Sequence, residues 1–340
     1  MLKSIGGLHM KKRFFSLVVA AVIGINLIAC GRNTCSMEDK SSETDREIVI
    51  GFSQIGAESD WRIANTESMK TTFSEENGYK LFYHDAQQKP ANQIEAIRNF
   101  IQQEVDYIVL APSIETGWDT VLEEAKAASI PVIIVDRMID VSDESLYTAW
   151  VGADFYEEGQ KAVRWMEEQY GKEKTLNIAH IQGTIGSSAQ IGRTKALEEA
   201  VAQNENWNLS FQQSGDFTEA KSKEVMGRIL RNTKDIDVVY CENDNIAFGA
   251  IEAIESAGLE CGLDGDITVV SFDATHAGLE KTMSGSISCN IECNPLHGPR
   301  VEKIIEQLEH GETPDKLSYV AEEVFQSDEL TETVINSRMY

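Results

Sequence analysis

Proline, cysteine and positive charge are scarce in this chain of 340 residues. It contains 6 Pro and 24 Gly beside 42% hydrophobic residues, which excludes collagen-like, mucin-like and disordered chains. Its 30 basic residues stand against 56 acidic ones, a formal net charge of −26. A surface with this charge repels phosphate backbones, so sequence-independent binding to nucleic acid is disfavoured. The length is typical of about two domains.

The amino terminus carries an apolar run of 16 residues, 14–29, which is shorter than the roughly 20 residues of a membrane-spanning helix. Lys11-Lys12-Arg13 precede the run, and residues 1–29 contain no acidic residue. This order predicts an export signal peptide over 1–29, with Met1 or Met10 as the start. Without this segment the chain has 26 basic and 56 acidic residues, a net charge of −30.

Cys30 follows the apolar run within Leu27-Ile28-Ala29-Cys30-Gly31, which resembles a bacterial lipobox. The resemblance implies cleavage before Cys30 and its attachment to lipid. Residues 30–46 are polar and without periodicity, as in a flexible tether. The alternatives are an uncleaved anchor and ordinary signal cleavage. We therefore predict an exported protein that Cys30 anchors to the outer face of a membrane.

An exported chain meets an oxidising environment, in which cysteines can pair. Cys289 and Cys293 are four residues apart in a predicted strand, roughly 13 Å, which is too far for a disulfide. The sequence has no closely spaced cysteine pair with nearby histidines, the usual pattern of a zinc site. We expect buried free thiols, no metal and no cofactor. One disulfide among Cys241, Cys261, Cys289 and Cys293 is the alternative.

From residue 47 onward, short β-rich apolar runs alternate with amphipathic helical stretches. The runs 107–110 and 132–135 are apolar on both faces, as in central strands of a covered parallel sheet. Residues 92–102 place Ile94, Ile97 and Ile101 on one helical stripe. The alternation predicts a doubly wound α/β fold, and two sets of five strands favour two Rossmann-like lobes over one large sheet. The predicted strands cover 48–54, 79–85, 107–112, 131–137, 147–153, 176–183, 209–215, 238–243, 268–273 and 288–292.

Several motifs at the strand ends resemble those of the type 1 periplasmic sugar-binding proteins of ABC transporters. The combination is most similar to the galactofuranose-binding branch, beside the ribose- and galactose-binding proteins, and covers nearly everything from residue 47. The motifs are Gly51-Phe52-Ser53-Gln54, Trp61-Arg62, Gln87-Gln88-Lys89, Asn92-Gln93, Asp136-Arg137, Gln182-Gly183-Thr184, Ser214-Gly215-Asp216-Phe217-Thr218, Asn243-Asp244 and Gly249-Ala250-Ile251.

This resemblance implies two lobes with parallel sheets, joined by a three-segment hinge, that close around a monosaccharide. It implies no enzymatic activity, an ABC transporter permease as partner, and no cofactor, and we expect a monomer. We predict lobe one over 47–152 plus 295–322, which includes a returning helix, and lobe two over 153–294 plus 323–340.

The resemblance also implies a ligand-binding set with chemistry suited to a sugar. Carboxylates accept hydrogen bonds from hydroxyls, guanidinium groups donate in planar pairs, and an indole covers the apolar face of the ring. The implied residues are Trp61, Arg62, Asp136, Arg137, Arg193, Asn243, Asp273 and Glu292.

Each of these residues also has a purely structural explanation. The Asp136-Arg137 dipeptide could form a local ion pair, and Asn243 and Asp273 could cap the helices that follow them. Arg193 could be a solvated surface charge, and Trp61 an ordinary core residue. These explanations are individually reasonable, but all the residues fall where one cleft is expected.

Three other functions compete with sugar delivery to an importer. A sensing module would use the same closure to signal to a chemoreceptor or histidine kinase. A sugar-responsive repressor would need a DNA-binding amino terminus in place of the export signal. A glycoside hydrolase would use Asp136 and Asp273, but we expect the flanking arginines to keep both ionised, whereas a hydrolase needs one acid protonated.

Overall fold

The structure is a computed structural model that describes residues 46–328, 330–338 and 340. The predicted signal peptide 1–29, the lipidation site Cys30 and the tether up to residue 45 lie outside the described residues. Within these residues, no helix is long and apolar enough to cross a membrane. The described chain forms two sheets of six strands each, with helices between the strands.

The first sheet is entirely parallel, in the order β11-β5-β4-β3-β1-β2. The central strands β3 and β4 are buried along their whole length, because α2 and α3 cover one face and α1 and α9 the other. The strands are β1 Ile48–Gln54, β2 Tyr79–Asp85, β3 Tyr107–Leu110, β4 Val132–Val135, β5 Ala149–Gly152 and β11 Leu317–Tyr319. The helices are α1 Asp60–Thr72, α2 Pro90–Gln102, α3 Asp119–Ala127 and α9 Gly298–Glu309.

The second sheet has the order β12-β10-β9-β8-β6-β7, and only its edge strand β12 is antiparallel. Helices α4 and α5 pack on one face, and α6 and α7 on the other. The strands are β6 Leu176–Gln182, β7 Trp207–Ser214, β8 Val238–Cys241, β9 Thr268–Asp273, β10 Cys289–Glu292 and β12 Val324–Phe325. The helices are α4 Phe155–Tyr170, α5 Ser188–Gln203, α6 Glu219–Asn232, α7 Asp244–Ser256, α8 His276–Met283 and α10 Glu332–Ser337.

The chain passes between the two sheets three times. The crossing segments, here called the hinge segments, are residues 153–154, 293–297 and 320–323. This is the predicted α/β fold of two Rossmann-like lobes with a three-segment hinge. The exact residue limits of the two lobes stay a prediction.

The lobes are closed against each other in this structure. The Met138 amide donates to the Ser188 hydroxyl at 2.8 Å, which joins the end of β4 to the start of α5. The Glu115 amide donates to the Gly186 carbonyl at 3.0 Å across the same gap. On the other side of the cleft, the Asp60 amide donates to the Asn245 side-chain oxygen at 3.0 Å.

Strand positions follow the sequence prediction closely, whereas the carboxyl-terminal region does not. Strands β1, β2 and β9 have the predicted limits, and β3, β4 and β5 are shorter than predicted. The predicted returning helix within residues 295–322 is α9, which ends at Glu309, and the unpredicted strand β11 follows it. Strands β11 and β12 contain three and two residues, too few to show a period in the sequence.

The four cysteines among the described residues, Cys241, Cys261, Cys289 and Cys293, are free. Burial raises the pKa of Cys241 and Cys293 well above the ordinary thiol value. These thiols are therefore neutral at physiological pH, and the alternative of one disulfide within this group is wrong.

Candidate functional site

A single cavity between the lobes brings together seven of the eight predicted residues. They come from the carboxyl ends of strands in both sheets and from the helices that start there, where open α/β sheets bind ligands. The seven residues are Trp61, Arg62, Asp136, Arg137, Arg193, Asn243 and Asp273. Six further residues line the same cavity, namely Glu58, Ser59, Phe155, Ala189, Phe217 and Cys293.

Helix α1 delivers the first part of the site. The Ser59 hydroxyl caps the helix by accepting from the Arg62 amide at 3.1 Å, which fixes the first turn at the cleft. The Arg62 guanidinium then bonds two carboxylates, Asp136 at 2.7 Å and Glu58 at 3.1 Å. All three side chains are almost fully buried. Arg62 therefore ties α1 to the end of β4.

Arg137 completes the charged cluster of the first lobe. Its guanidinium donates to the Ser113 carbonyl at 3.0 Å and lies 3.8 Å from Glu58 and 3.9 Å from Asp136. Burial and the neighbouring Arg62 charge lower the pKa of Arg137 to about 10, so it stays charged at neutral pH. Two arginines and two carboxylates thus neutralise one another at the floor of the cavity.

Arg193 of α5 is the buried cation that the second lobe contributes to the cavity. Its Nε donates to Glu158 at 2.6 Å, and its Nη1 donates to the Glu242 carbonyl. The guanidinium carbon lies 5.3 Å from the Phe155 ring and 4.7 Å from the Phe272 ring. With only 2% of its surface exposed, Arg193 is a fixed buried cation, which excludes the alternative of a solvated surface charge.

The pKa values of the two aspartates facing the cavity are shifted in opposite directions. Burial would raise the pKa of Asp136, but Arg62 and Arg137 outweigh it and the pKa is lowered. Burial raises the pKa of Asp273 well above its usual range, although Arg193 lies 3.9 Å away. Arg193 is shared with Glu158, so Asp273 is less strongly held as a carboxylate than Asp136.

Both aspartates also sit on unusual backbone. Asp136 has a φ of 64° and Asp273 a φ of 106°, in the left-handed region that residues other than glycine rarely adopt. Thr275, not Asp273, caps α8 by accepting from the Gly278 amide. The strain at the ends of β4 and β9 turns the carboxyl groups toward the cleft, an arrangement that is concentrated at functional sites.

Aromatic rings supply the apolar walls. Trp61 is 4% exposed, and its indole NH donates to the Cys293 carbonyl in the second hinge segment at 2.6 Å. The Phe217 ring lies 5.0 Å from the Arg137 guanidinium and packs so closely on Gly183 that a Cβ there would come within 1.9 Å of it. Phe155 starts α4 directly after the first hinge segment.

Asn243 serves two purposes. Its side-chain oxygen accepts from the Ile246 amide at 2.9 Å, so it caps α7 as the structural explanation predicts. Its amide nitrogen also faces the cavity, near the Phe217 carbonyl at 3.5 Å. The helix cap thus orients a side chain that lines the cleft.

Glu292 lies outside the cavity, contrary to the expectation that groups it with the other seven. Its carboxylate accepts from Arg338, from the Asn294 side chain at 3.1 Å and from the Glu323 amide at 3.0 Å. Strand β10 ends at Glu292, and the next residue, Cys293, lines the cavity in its place, while the Glu292 carboxylate is held by these donors. Glu292 therefore joins the hinge to the carboxyl terminus.

Some of the lining residues were not among the predicted site residues, although the sequence contains a signal for them. Glu58 stands four residues before Arg62, a spacing at which opposite charges meet when the chain is helical. Phe217 lies in a motif that carries the family resemblance. Phe155 and Cys293 have no such signal, because their place in the cavity depends on the hinge.

Among the described residues, one cluster could supply three metal ligands: Glu158, Cys293 and Glu322, whose ligand atoms lie within 4.8 Å of one another. The Arg193 guanidinium is bonded to Glu158, and the Cys293 thiol is neutral. A cation would have to compete with this arginine, so the cluster is poorly suited to hold a metal ion.

Comparison with known proteins agrees with this geometry. Residues 50–297 match the family described as "Periplasmic binding protein domain". The chain belongs to this family. The galactofuranose-binding protein YtfQ of Escherichia coli K12 is 40% identical to this binding protein, over 83% of the chain and 88% of YtfQ.

Two solved structures are similar to this chain in shape and sequence. One is a Mycobacterium smegmatis protein in complex with β-D-fucofuranose, with 42% identity and a TM-score of 0.79 over 83% of this chain and 92% of that one. The other is the binding protein of the arabinose ABC transporter from Shewanella sp. ANA-3, bound to α- and β-L-arabinofuranose. It has 38% identity and a TM-score of 0.80, over 86% of this chain and 95% of that one. The predicted resemblance to the galactofuranose-binding branch is confirmed, and the chain belongs among binding proteins rather than enzymes.

Proposed function

We propose that this protein captures a monosaccharide in the cleft between its lobes and delivers it to an ABC importer. The observation that carries the proposal is the convergence of three buried arginines, two aspartates, an asparagine and three aromatic rings on one cavity. Few ligands other than a sugar combine many hydroxyls with apolar ring faces. The names of the relatives support the same class of ligand.

The proposed mechanism is closure of the hinge around the sugar. Arg62, Arg137 and Asp136 from the first lobe bond hydroxyls on one side, and Arg193, Asn243 and Asp273 on the other. The arginines donate hydrogen bonds and the carboxyl oxygens accept them, so the site can bond a hydroxyl as acceptor or as donor. An epimer that leaves one of these buried groups unpaired loses about 1–3 kcal/mol of binding free energy.

We propose a five-membered-ring sugar as the preferred ligand, with galactofuranose-like compounds first and ribose-like or other aldoses next. The support comes from three similar proteins, 38–42% identical to this chain, each of which is named for a furanose or bound to one. Capture of such a sugar outside the cytoplasm, followed by release to a permease, is the expected cycle of a monomer.

A panel of sugars tests this proposal. We expect the melting temperature of the purified protein to rise with at least one of D-galactose, L-arabinose, D-fucose and D-ribose, because a ligand that binds only the folded state stabilises it. Arg137→Lys should remove most of this rise, since lysine keeps the charge but loses the planar fork. Arg228→Lys, at an arginine with a half-exposed side chain, is the matched control and should respond like the original protein. A folded protein that responds to no sugar contradicts the proposal.

We further propose that Cys30 carries the lipid that holds the protein on the outer face of the membrane. The support is the order of basic residues, apolar run, Ala29 and Cys30 in the sequence. In bacterial cells, Cys30→Ser should move the protein from the membrane fraction to the soluble exported fraction and abolish incorporation of labelled palmitate. Cys35→Ser is the control and should change neither. Continued labelling of the Cys30→Ser protein would contradict lipidation at this residue.

A further inference from the structure

Glu322 lies at the meeting point of the hinge segments. It belongs to the third segment, and one of its carboxyl oxygens accepts from the Asn294 amide of the second segment at 3.0 Å. Its backbone carbonyl accepts from Lys161 of α4 at 2.9 Å, directly after the first segment. Glu322 therefore contacts the second hinge segment through its side chain, and helix α4, which follows the first segment, through its backbone.

The carboxyl group of Glu322 faces that of Glu158. Ligand atoms of Glu158, Glu322 and Cys293 lie within 4.8 Å of one another. Glu158 is fully buried, and its Oε2 accepts from Arg193 at 2.6 Å. Its Oε1 has no hydrogen-bond partner among the described residues. A carboxyl proton on the nearby Glu322 would give this oxygen a donor.

Charged groups from several elements surround the pair, among them Lys161 of α4, which donates to the Glu322 backbone carbonyl. Arg193 of α5 faces both carboxyl groups, and Arg300 of α9 approaches Glu322. Asp273 and the neutral thiol of Cys293 lie on the side of Arg193. Burial and the Glu158 charge raise the pKa of Glu322, so Glu322 holds the proton and Glu158 remains the partner of Arg193.

We propose that Glu322 is a positioning residue of the sugar site: as a neutral acid it donates to Glu158, which holds Arg193 in place, and it can do so only when the hinge is closed. The proposal rests on the proposed sugar-binding function and adds a link between hinge and site. It also makes closure take up one proton, because an open hinge exposes Glu322 to water and lets it ionise.

Glu322→Gln tests the link, since glutamine keeps a donor toward Glu158 but cannot ionise. We expect the affinity of the original protein for D-galactose or L-arabinose to fall between pH 6 and pH 9, by up to about tenfold per pH unit for each linked proton. The Gln variant should bind at pH 6 like the original protein. A plot of the logarithm of its affinity against pH should be less steep, by a slope that corresponds to about one linked proton. Glu322→Ala should bind weakly at every pH.

Glu323→Gln, at the exposed neighbour, is the matched control and should keep the original slope. Equal slopes for the original protein and Glu322→Gln would overturn the proposal. The melting temperature without sugar gives a second readout, because a proton on Glu322 favours the closed fold over the open and unfolded states, and this stabilisation is lost as pH rises. If neither sugar binds the original protein, the proposed function fails. The difference in melting temperature between Glu322→Gln and the original protein, which should widen from pH 6 to pH 9, then still decides the role of the proton.

Discussion

Arg193→Met is expected to abolish sugar binding and to lower the free energy of unfolding by about 3–5 kcal/mol. The substitution keeps an unbranched side chain of similar length but removes the cation bonded to Glu158. Glu158 is fully buried and would then be bonded to no cation among the described residues. The Glu242 carbonyl would also lose its donor. This combination of an orphaned buried charge and an unpaired acceptor is among the costliest changes a core can undergo.

Urea unfolding measures the loss of stability, and a calorimetric titration with the responding sugar measures binding. Arg231→Met makes the same substitution at an exposed arginine of α6 and should alter neither quantity appreciably. Arg193→Lys keeps the charge without the planar fork and should fold better than Arg193→Met while binding sugar poorly. If Arg193→Met binds as well as the original protein, Arg193 has no part in the site.

The fold was largely predictable because its signals are local. Strands such as β3 and β4 are short apolar runs between amphipathic helices. The residues of each run are enough to predict a buried strand, without information from the rest of the chain. Strands β11 and β12 could not be found in this way. They contain five residues in total, and each exists only because a longer strand, β5 or β10, is already in place beside it.

The candidate site was predictable where side chains follow a strand directly. Asp136 and Asp273 stand at the carboxyl ends of β4 and β9, and topology alone brings such positions together. Glu292 has the same relation to β10, yet it lies outside the cavity, because its carboxylate is bonded to Arg338 and to the Glu323 amide and the next residue, Cys293, lines the cavity. The raised pKa of Asp273 was likewise beyond the sequence, since it depends on burial and on the sharing of Arg193 with Glu158.

Asp136→Asn is expected to lower the free energy of unfolding by about 3–5 kcal/mol at pH 7 and to weaken sugar binding at least tenfold. Asparagine has the same shape as aspartate and tolerates the left-handed backbone at this position, so the change tests charge rather than packing. Without Asp136, the buried guanidinium groups of Arg62 and Arg137 share only the Glu58 carboxylate. Asp140→Asn, four residues later and exposed, is the matched control and should change neither quantity.

The pH dependence separates this electrostatic role from a merely structural one. Arg62 and Arg137 lower the pKa of Asp136 in the folded protein, against the opposing effect of burial. A lowered pKa stabilises the fold at pH values above the ordinary aspartate range, and this stabilisation is lost as the pH falls through that range, about 4. The difference in unfolding free energy between the original protein and Asp136→Asn should therefore be constant from pH 7 to about pH 5 and shrink below about pH 4. A difference that stays the same down to pH 3 would mean that the carboxylate charge does not stabilise the arginine cluster.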